Sequence, residues 1–387
     1  MENTFVTESI KYIGVDDHEI DLFESQYIVP NGVSYNSYLI TDEKTAIMDS
    51  VDKRKGKEWL AALEDALGGR EPDYLVISHM EPDHGSSLAD VAAKYPNMKL
   101  VGNAKTFAMA DQFFGGAIKS ERVIVKEGDT LSLGGHTLHF TMAPMVHWPE
   151  VMMSYEESEG VLFSADAFGK FGALDTEEDW ACEARRYYFN IVGKYGVQVQ
   201  SVLKKAAALD IKTICPLHGP ILNENLEYYL NLYNIWSSYG VEADGVFIAY
   251  ASIHGNTAKA AVELAQILKE KGAAKVAVSD LAREDMAECI EDAFKYGRII
   301  LAASSYDAGV FTPMHDFLSH LAMKNWQNRK VGIIENGSWG PTAARTMKAM
   351  LEGMKNITVC DTAVTIKSAM KQSDRAALQT LADEILA

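Results

Sequence analysis

The chain has 387 residues, 48% of them apolar and 23% charged, which allows two globular domains with separate cores and excludes a disordered chain. Asp and Glu outnumber Lys and Arg by 54 to 36, and the resulting net charge of -18 would repel phosphate backbones and anionic lipid, so no nucleic acid and no membrane is expected as a partner. The opening MENTFVTESIKYIG lacks the basic and apolar regions of a secretory signal, and no apolar run approaches the length of a bilayer span.

In chain order, Tyr38–Ile40 and Ala46–Met48 are apolar runs flanking the turn Thr41-Asp42-Glu43-Lys44, a hairpin signal. Trp59, Leu60, Leu63 and Leu67 follow at helical spacing. Tyr74-Leu75-Val76-Ile77-Ser78 has the form of a buried strand, and a further helix is predicted from Ser87-Leu88. Two more hairpins are expected to turn at Gly134-Gly135 and at Glu157–Gly160. The pattern changes near residue 244. Strands at Val246–Tyr250, Lys275–Val278, Arg298–Ala302, Lys330–Ile334 and Ile357–Val359 alternate with helices, as in a doubly wound parallel sheet. Two domains are therefore expected, 1–242 and 243–387.

The loop after the Tyr74 strand reads His79-Met80-Glu81-Pro82-Asp83-His84-Gly85. Two imidazoles and two carboxylates this close, at the carboxyl end of a strand, can converge on a metal. His147, Asp166 and His218 also sit beside apolar runs, which completes a set of four His, two Asp and one Glu. That is enough for two metals with one carboxylate bridging. Capping of the next helix by His79 and Asp83 is the simpler alternative, but it leaves the other five unexplained.

In the second half, Ser252-Ile253-His254-Gly255-Asn256-Thr257 forms a strand-to-helix turn whose backbone N–H groups can hold an anion. An ordinary capped helix is the alternative. Ser304-Ser305-Tyr306-Asp307-Ala308-Gly309 and Asn336-Gly337-Ser338-Trp339-Gly340 follow the third and fourth strands, at the edge where open parallel sheets bind ligands. Tyr306 and Trp339 are suited either to flank a flat ring or to pack at the rim. His315 and His320 lie on a predicted helix without ligand spacing, His136 and His139 straddle a strand at the surface or core edge, and His18 follows Asp16-Asp17 near the amino terminus. Trp148, Tyr187 and Tyr188 either wall a substrate pocket or simply pack.

The order H-x-[HE]-x-D-H followed by His, Asp and His resembles the metallo-β-lactamase superfamily, and Glu81 at the third position is similar to the flavodiiron proteins within it. The turn at 252–257 resembles the flavodoxin phosphate loop. His254, Asp307-Ala308 and Pro341 depart from the usual residues at their positions. The resemblance implies an αββα metallo-β-lactamase-like sandwich followed by a flavodoxin-like five-stranded parallel sheet. It implies two iron ions, one held by His79, Glu81 and His147 and the other by Asp83, His84 and His218, with Asp166 bridging. It implies FMN in the three loops, covering residues Ser252, Ile253, His254, Gly255, Asn256, Thr257, Ser304, Tyr306, Asp307, Ala308, Gly309, Asn336, Gly337, Ser338, Trp339 and Gly340. The activity implied is reduction of dioxygen to water or of nitric oxide to nitrous oxide. The assembly implied is a head-to-tail homodimer, with a tetramer as the alternative.

The four cysteines, Cys182, Cys215, Cys289 and Cys360, form no C-x-x-C pair. They fit free thiols in the cytoplasm, and electrons are expected from a separate rubredoxin or similar carrier. Two rival readings are a zinc hydrolase with an accessory flavodoxin domain and a di-iron oxygen sensor.

Overall fold

The computed structural model describes residues 5–387; residues 1–4, the start of the amino-terminal stretch read above, lie outside the described residues. The chain forms two compact units. One runs up to Tyr188 and resumes over Val197–Asn234; the other comprises Phe189–Gly196 and Ile235–Ala387.

The first unit is built on two sheets. One carries, in spatial order, Ile10–Tyr12, Tyr38–Ile40, Ala46–Met48, Tyr74–Val76, Lys99–Gly102 and Arg122–Ile124. The other carries Thr130–Ser132, Thr137–Met142, Met152–Glu156, Val161–Phe163 and Thr213–Cys215. Ile40, Met48, Val76 and Val101 from the first sheet meet Leu138, Phe140, Met152 and Phe163 from the second in one apolar core. Strands joined by short turns pair antiparallel, including the three predicted hairpins. Strands joined through helices pair parallel, as Ala46–Met48 does with Tyr74–Val76 across the helix Gly56–Leu67. That helix buries Trp59, Leu63 and Leu67 and stops at Gly68, whose φ of 57° suits a left-handed cap.

The second unit holds five parallel strands in the order Val276–Asp280, Ala243–Ala251, Tyr296–Tyr306, Arg329–Asn336, Ile357–Ile366. In chain order this is 2-1-3-4-5, the flavodoxin-like arrangement. Val246, Ile248, Ile300 and Ile334 pack on one face against Leu264 and Leu268 of the helix Asn256–Glu270 and Leu381 and Ile385 of Gln372–Leu386. Phe247, one residue out of phase, meets Phe317 of the helix Thr312–Met323.

The strands run longer than predicted. The fifth reaches Ile366 because it lies at the edge of the sheet, where Thr358, Asp361 and Thr365 alternate with buried Cys360, Val364 and Ile366 and break the apolar run. The third extends to Tyr306, where a short antiparallel strand, Gly309–Val310, folds back on it. No helix among the described residues is long and apolar enough to cross a membrane.

Candidate metal centre and flavin cavity

His79 leaves the Tyr74–Val76 strand, Asp166 follows Val161–Phe163, and His218 follows Thr213–Cys215. His147 lies in the connection between Thr137–Met142 and Met152–Glu156. All seven predicted ligands meet. Nε2 of His79 and Nε2 of His147 are both 3.1 Å from Oε2 of Glu81, and lie 3.4 and 3.0 Å from Oδ2 of Asp166. Nε2 of His84 and Nε2 of His218 lie 3.4 and 3.2 Å from Oδ2 of Asp83, and 3.3 and 4.0 Å from the other Asp166 oxygen, Oδ1. Neither Glu81 nor Ser87, the residues preceding the helical segments Pro82–Gly85 and Leu88–Lys94, makes a side-chain cap bond.

The groups are crowded in a way that protein alone leaves unresolved. His84 and His218 direct their Nε2 atoms at each other across 3.1 Å. Both Asp83 oxygens, Asp166 Oδ1 and His84 Nδ1 are buried without a hydrogen-bond partner. Burial opposes charge on Asp166 and Glu81, yet the surrounding imidazoles hold both well below the usual carboxylate range. Burial likewise opposes charge on His147, but Asp166 and Glu81 raise it to about 9. A metal bound here would displace the proton that Asp166 and Glu81 favour on His147. Carboxylates and imidazoles without cysteine form a donor set suited to iron.

Two further carboxyl groups, not singled out by the sequence, reach this site. Glu150 is fully buried, and its Oε1 accepts from Nδ1 of His79 at 2.8 Å and from the Met80 N–H at 2.9 Å. Glu24 sits at the tip of the hairpin Leu22–Phe23 and Tyr27–Ile28, and hydrogen bonds to Glu81. Lost hydration, and then the Glu81 charge, raise its pKa to about 7. Glu24 and Ser25 both have positive φ, 49° and 58°, a strained turn for two non-glycine residues.

Aromatic rings wall the site. Trp148 meets His79 edge-on at 5.2 Å, and Phe23 and Tyr187 lie 5.4 and 5.6 Å from His218. Tyr188 packs instead on Tyr233. The remaining histidines of this unit make polar pairs elsewhere: His18 with Asp175, His136 with Asp42 and Ser9, and His139 with Glu157. His315 and His320 lie on the helix Thr312–Met323.

In the second unit the three predicted loops surround a cavity of 620 Å³. Of the residues singled out, only Gly255 and Gly309 do not line it, and Ser305, Thr342 and Ser368 join the lining. Gly255, at φ 82°, turns the chain into the helix Asn256–Glu270, whose amino end opens on the cavity. Ser252 Oγ is buried there without a partner, as expected of a hydroxyl shaped for a phosphate oxygen. The other loops are tied to one another. Ser305 Oγ accepts from the N–H groups of Thr342 and Ala343, and Asn336 exchanges two hydrogen bonds with the Ser368 backbone. Trp339 is 98% exposed and Tyr306 48%, so both rings have a face free for a flat ligand.

Fold and site together define a metallo-β-lactamase-like dinuclear unit in one chain with a flavodoxin-like unit. Residues 33–219 match the family described as ODP family beta lactamase. Over 95% of its length the chain is 26% identical to an uncharacterised protein of Methanocaldococcus jannaschii, covering 94% of that protein. It is 27% identical to an anaerobic nitric oxide reductase flavorubredoxin of Vibrio vulnificus, over 96% of this chain and 76% of that one. The rubredoxin oxygen:oxidoreductase structure from Desulfovibrio gigas superposes with a TM-score of 0.92 at 25% identity, covering 99% of this chain and 98% of the other. These similarities support the flavodiiron family, whose members carry a non-haem di-iron centre and FMN.

Proposed function

We propose that this chain is an oxidoreductase that reduces dioxygen to water, nitric oxide to nitrous oxide, or both, with electrons from an external carrier. The observation that carries this reading is the division of Asp166, whose two oxygens face two different sets of ligands. His79, Glu81 and His147 would hold one iron, Asp83, His84 and His218 the other, and Asp166 would bridge them. FMN would sit in the 620 Å³ cavity, with its phosphate on Ser252–Thr257 and its ring beside Tyr306 and Trp339. When bound, the irons supply an open coordination position for a diatomic substrate and the flavin supplies single electrons.

The protein's own part is to place these groups and keep competing chemistry out. Trp148, Phe23 and Tyr187 restrict water around the imidazoles, and Glu24 narrows the approach to Glu81. A zinc hydrolase would leave the flavin cavity without a use. Electron transfer needs flavin and irons close together, and the family resemblance supports a head-to-tail homodimer, or a tetramer built from it, as the means. A rubredoxin or similar protein is the proposed donor, in keeping with the name of the Desulfovibrio gigas neighbour. The four cysteines form no disulfide among the described residues, which fits the cytoplasm.

Anaerobic purification followed by measurement of iron, zinc and FMN per chain tests the proposal. Two irons and one FMN, with consumption of dioxygen or nitric oxide driven by reduced rubredoxin, is the expected result. Failure to take up FMN even on reconstitution would break the electron path and overturn it.

A further inference from the structure

We infer that Glu150 is a positioning residue that makes the two metal positions unequal, so that the His79 position fills first and more tightly. This rests on the dinuclear reading above and deepens it.

Each imidazole that offers Nε2 to a metal must dispose of the proton on Nδ1, and the acceptor of that proton sets both the tautomer and the donor strength of Nε2. For His79 the acceptor is a carboxylate, Glu150 Oε1, at 2.8 Å. Glu150 is itself fixed. The Met80 N–H donates to the same oxygen at 2.9 Å, and Asn103 Nδ2 donates to the Glu150 carbonyl at 2.5 Å. Its second oxygen, Oε2, is buried with no partner, so its charge is directed at the imidazole and whatever that imidazole binds.

The other position has no charged brace of this kind. His218 donates Nδ1–H to a neutral carbonyl, that of Ser34, at 2.7 Å. His84 Nδ1 is buried with no acceptor, and neither oxygen of Asp83 has a hydrogen-bond donor. A buried carboxylate behind an imidazole makes that nitrogen a stronger ligand, while an imidazole without an acceptor must be ordered by the metal itself.

The test is a Co(II) titration of the full-length chain, FMN retained and metal removed with a chelator, followed by visible absorption. Two steps are expected, the first at least about tenfold tighter than the second. His147→Ala should remove the tight step and His218→Ala the weak one. Glu150→Ala should weaken the first step by about 10–100-fold and leave the second, the FMN absorption and the far-UV dichroism unchanged. Glu150→Gln keeps an acceptor oxygen but loses the charge, and should fall between Glu150→Ala and the unaltered chain. Two equal steps in the unaltered chain, or variants at Glu150 that shift both steps alike or neither, would overturn this inference alone. Uptake of fewer than two Co(II) per chain would overturn the dinuclear reading along with it.

Discussion

Oδ2 of Asp166 lies 3.0 Å from Nε2 of His147, and the second oxygen of the same carboxylate lies 3.3 Å from Nε2 of His84. One side chain thus serves two sets of ligands, and its loss should be felt by both. Asp166→Ala is expected to lower metal content from two ions per chain to below one, while FMN is retained. Elemental analysis of protein loaded with Fe(II) under argon checks this. Loss of only one ion would mean that Asp166 does not bridge.

Ser252 offers an independent handle on the other unit. Its buried hydroxyl has no partner within the protein, so removing it leaves nothing stranded and takes away one hydrogen bond to a charged group. Such bonds contribute about 1.5–3 kcal/mol, so Ser252→Ala should weaken FMN binding by roughly tenfold or more. Quenching of tryptophan fluorescence provides the readout, since Trp339 lines the cavity and is almost wholly exposed.

Arg329 is a buried cation held by backbone carbonyls. Its Nη1 donates to Tyr239 and Gln327 at 2.9 Å each, and its Nη2 to Gly240 at 2.9 Å and to Phe294. Burial lowers its pKa to about 10. Arg329→Met would leave several carbonyls buried without donors, a change expected to destabilise the unit by about 3 kcal/mol. The urea midpoint read from FMN release measures it.

Asp42 should govern part of the acid stability of the first unit. Burial opposes its ionisation, but hydrogen bonds from the His136 side chain and backbone and from the Glu43 N–H together outweigh it and hold its pKa at about 2. A carboxylate with a lowered folded pKa contributes stability that is present above its unfolded value, near 4, and is lost as pH falls through about 2. Asp42→Asn should therefore lower the urea midpoint at pH 6 and flatten its decline between pH 4 and 2.

The site was legible where chemistry and strand ends coincide. His79, Asp166 and His218 each follow a fully buried three-residue strand, and such a run ending in a histidine or aspartate stands out in any sequence. The flavin loops were visible for the same reason, with small and hydroxyl residues after apolar strands. Glu150 was not visible, because one glutamate among 54 acidic residues acquires meaning only when the fold brings it to His79. Glu24 depends on a hairpin of two-residue strands, too short to give any periodicity. Thr342 and Ser368 reach the cavity through contacts between loops, which spacing along the chain cannot reveal.

The path of the backbone bears on how this protein can be cut or recombined. Phe189–Gly196 belongs to the second unit although first-unit chain lies on both sides of it. Within the second unit the Phe189 ring stacks on Phe294 at 4.0 Å, Asn190 accepts from Lys324 at 2.6 Å, and Gly196 donates to the Tyr239 hydroxyl. A fragment starting at residue 243 would lack all three contacts and leave a groove open on its surface. No single scission yields two complete halves. Any graft of a foreign flavin module onto this metal unit must therefore carry that short excursion or supply a substitute for it.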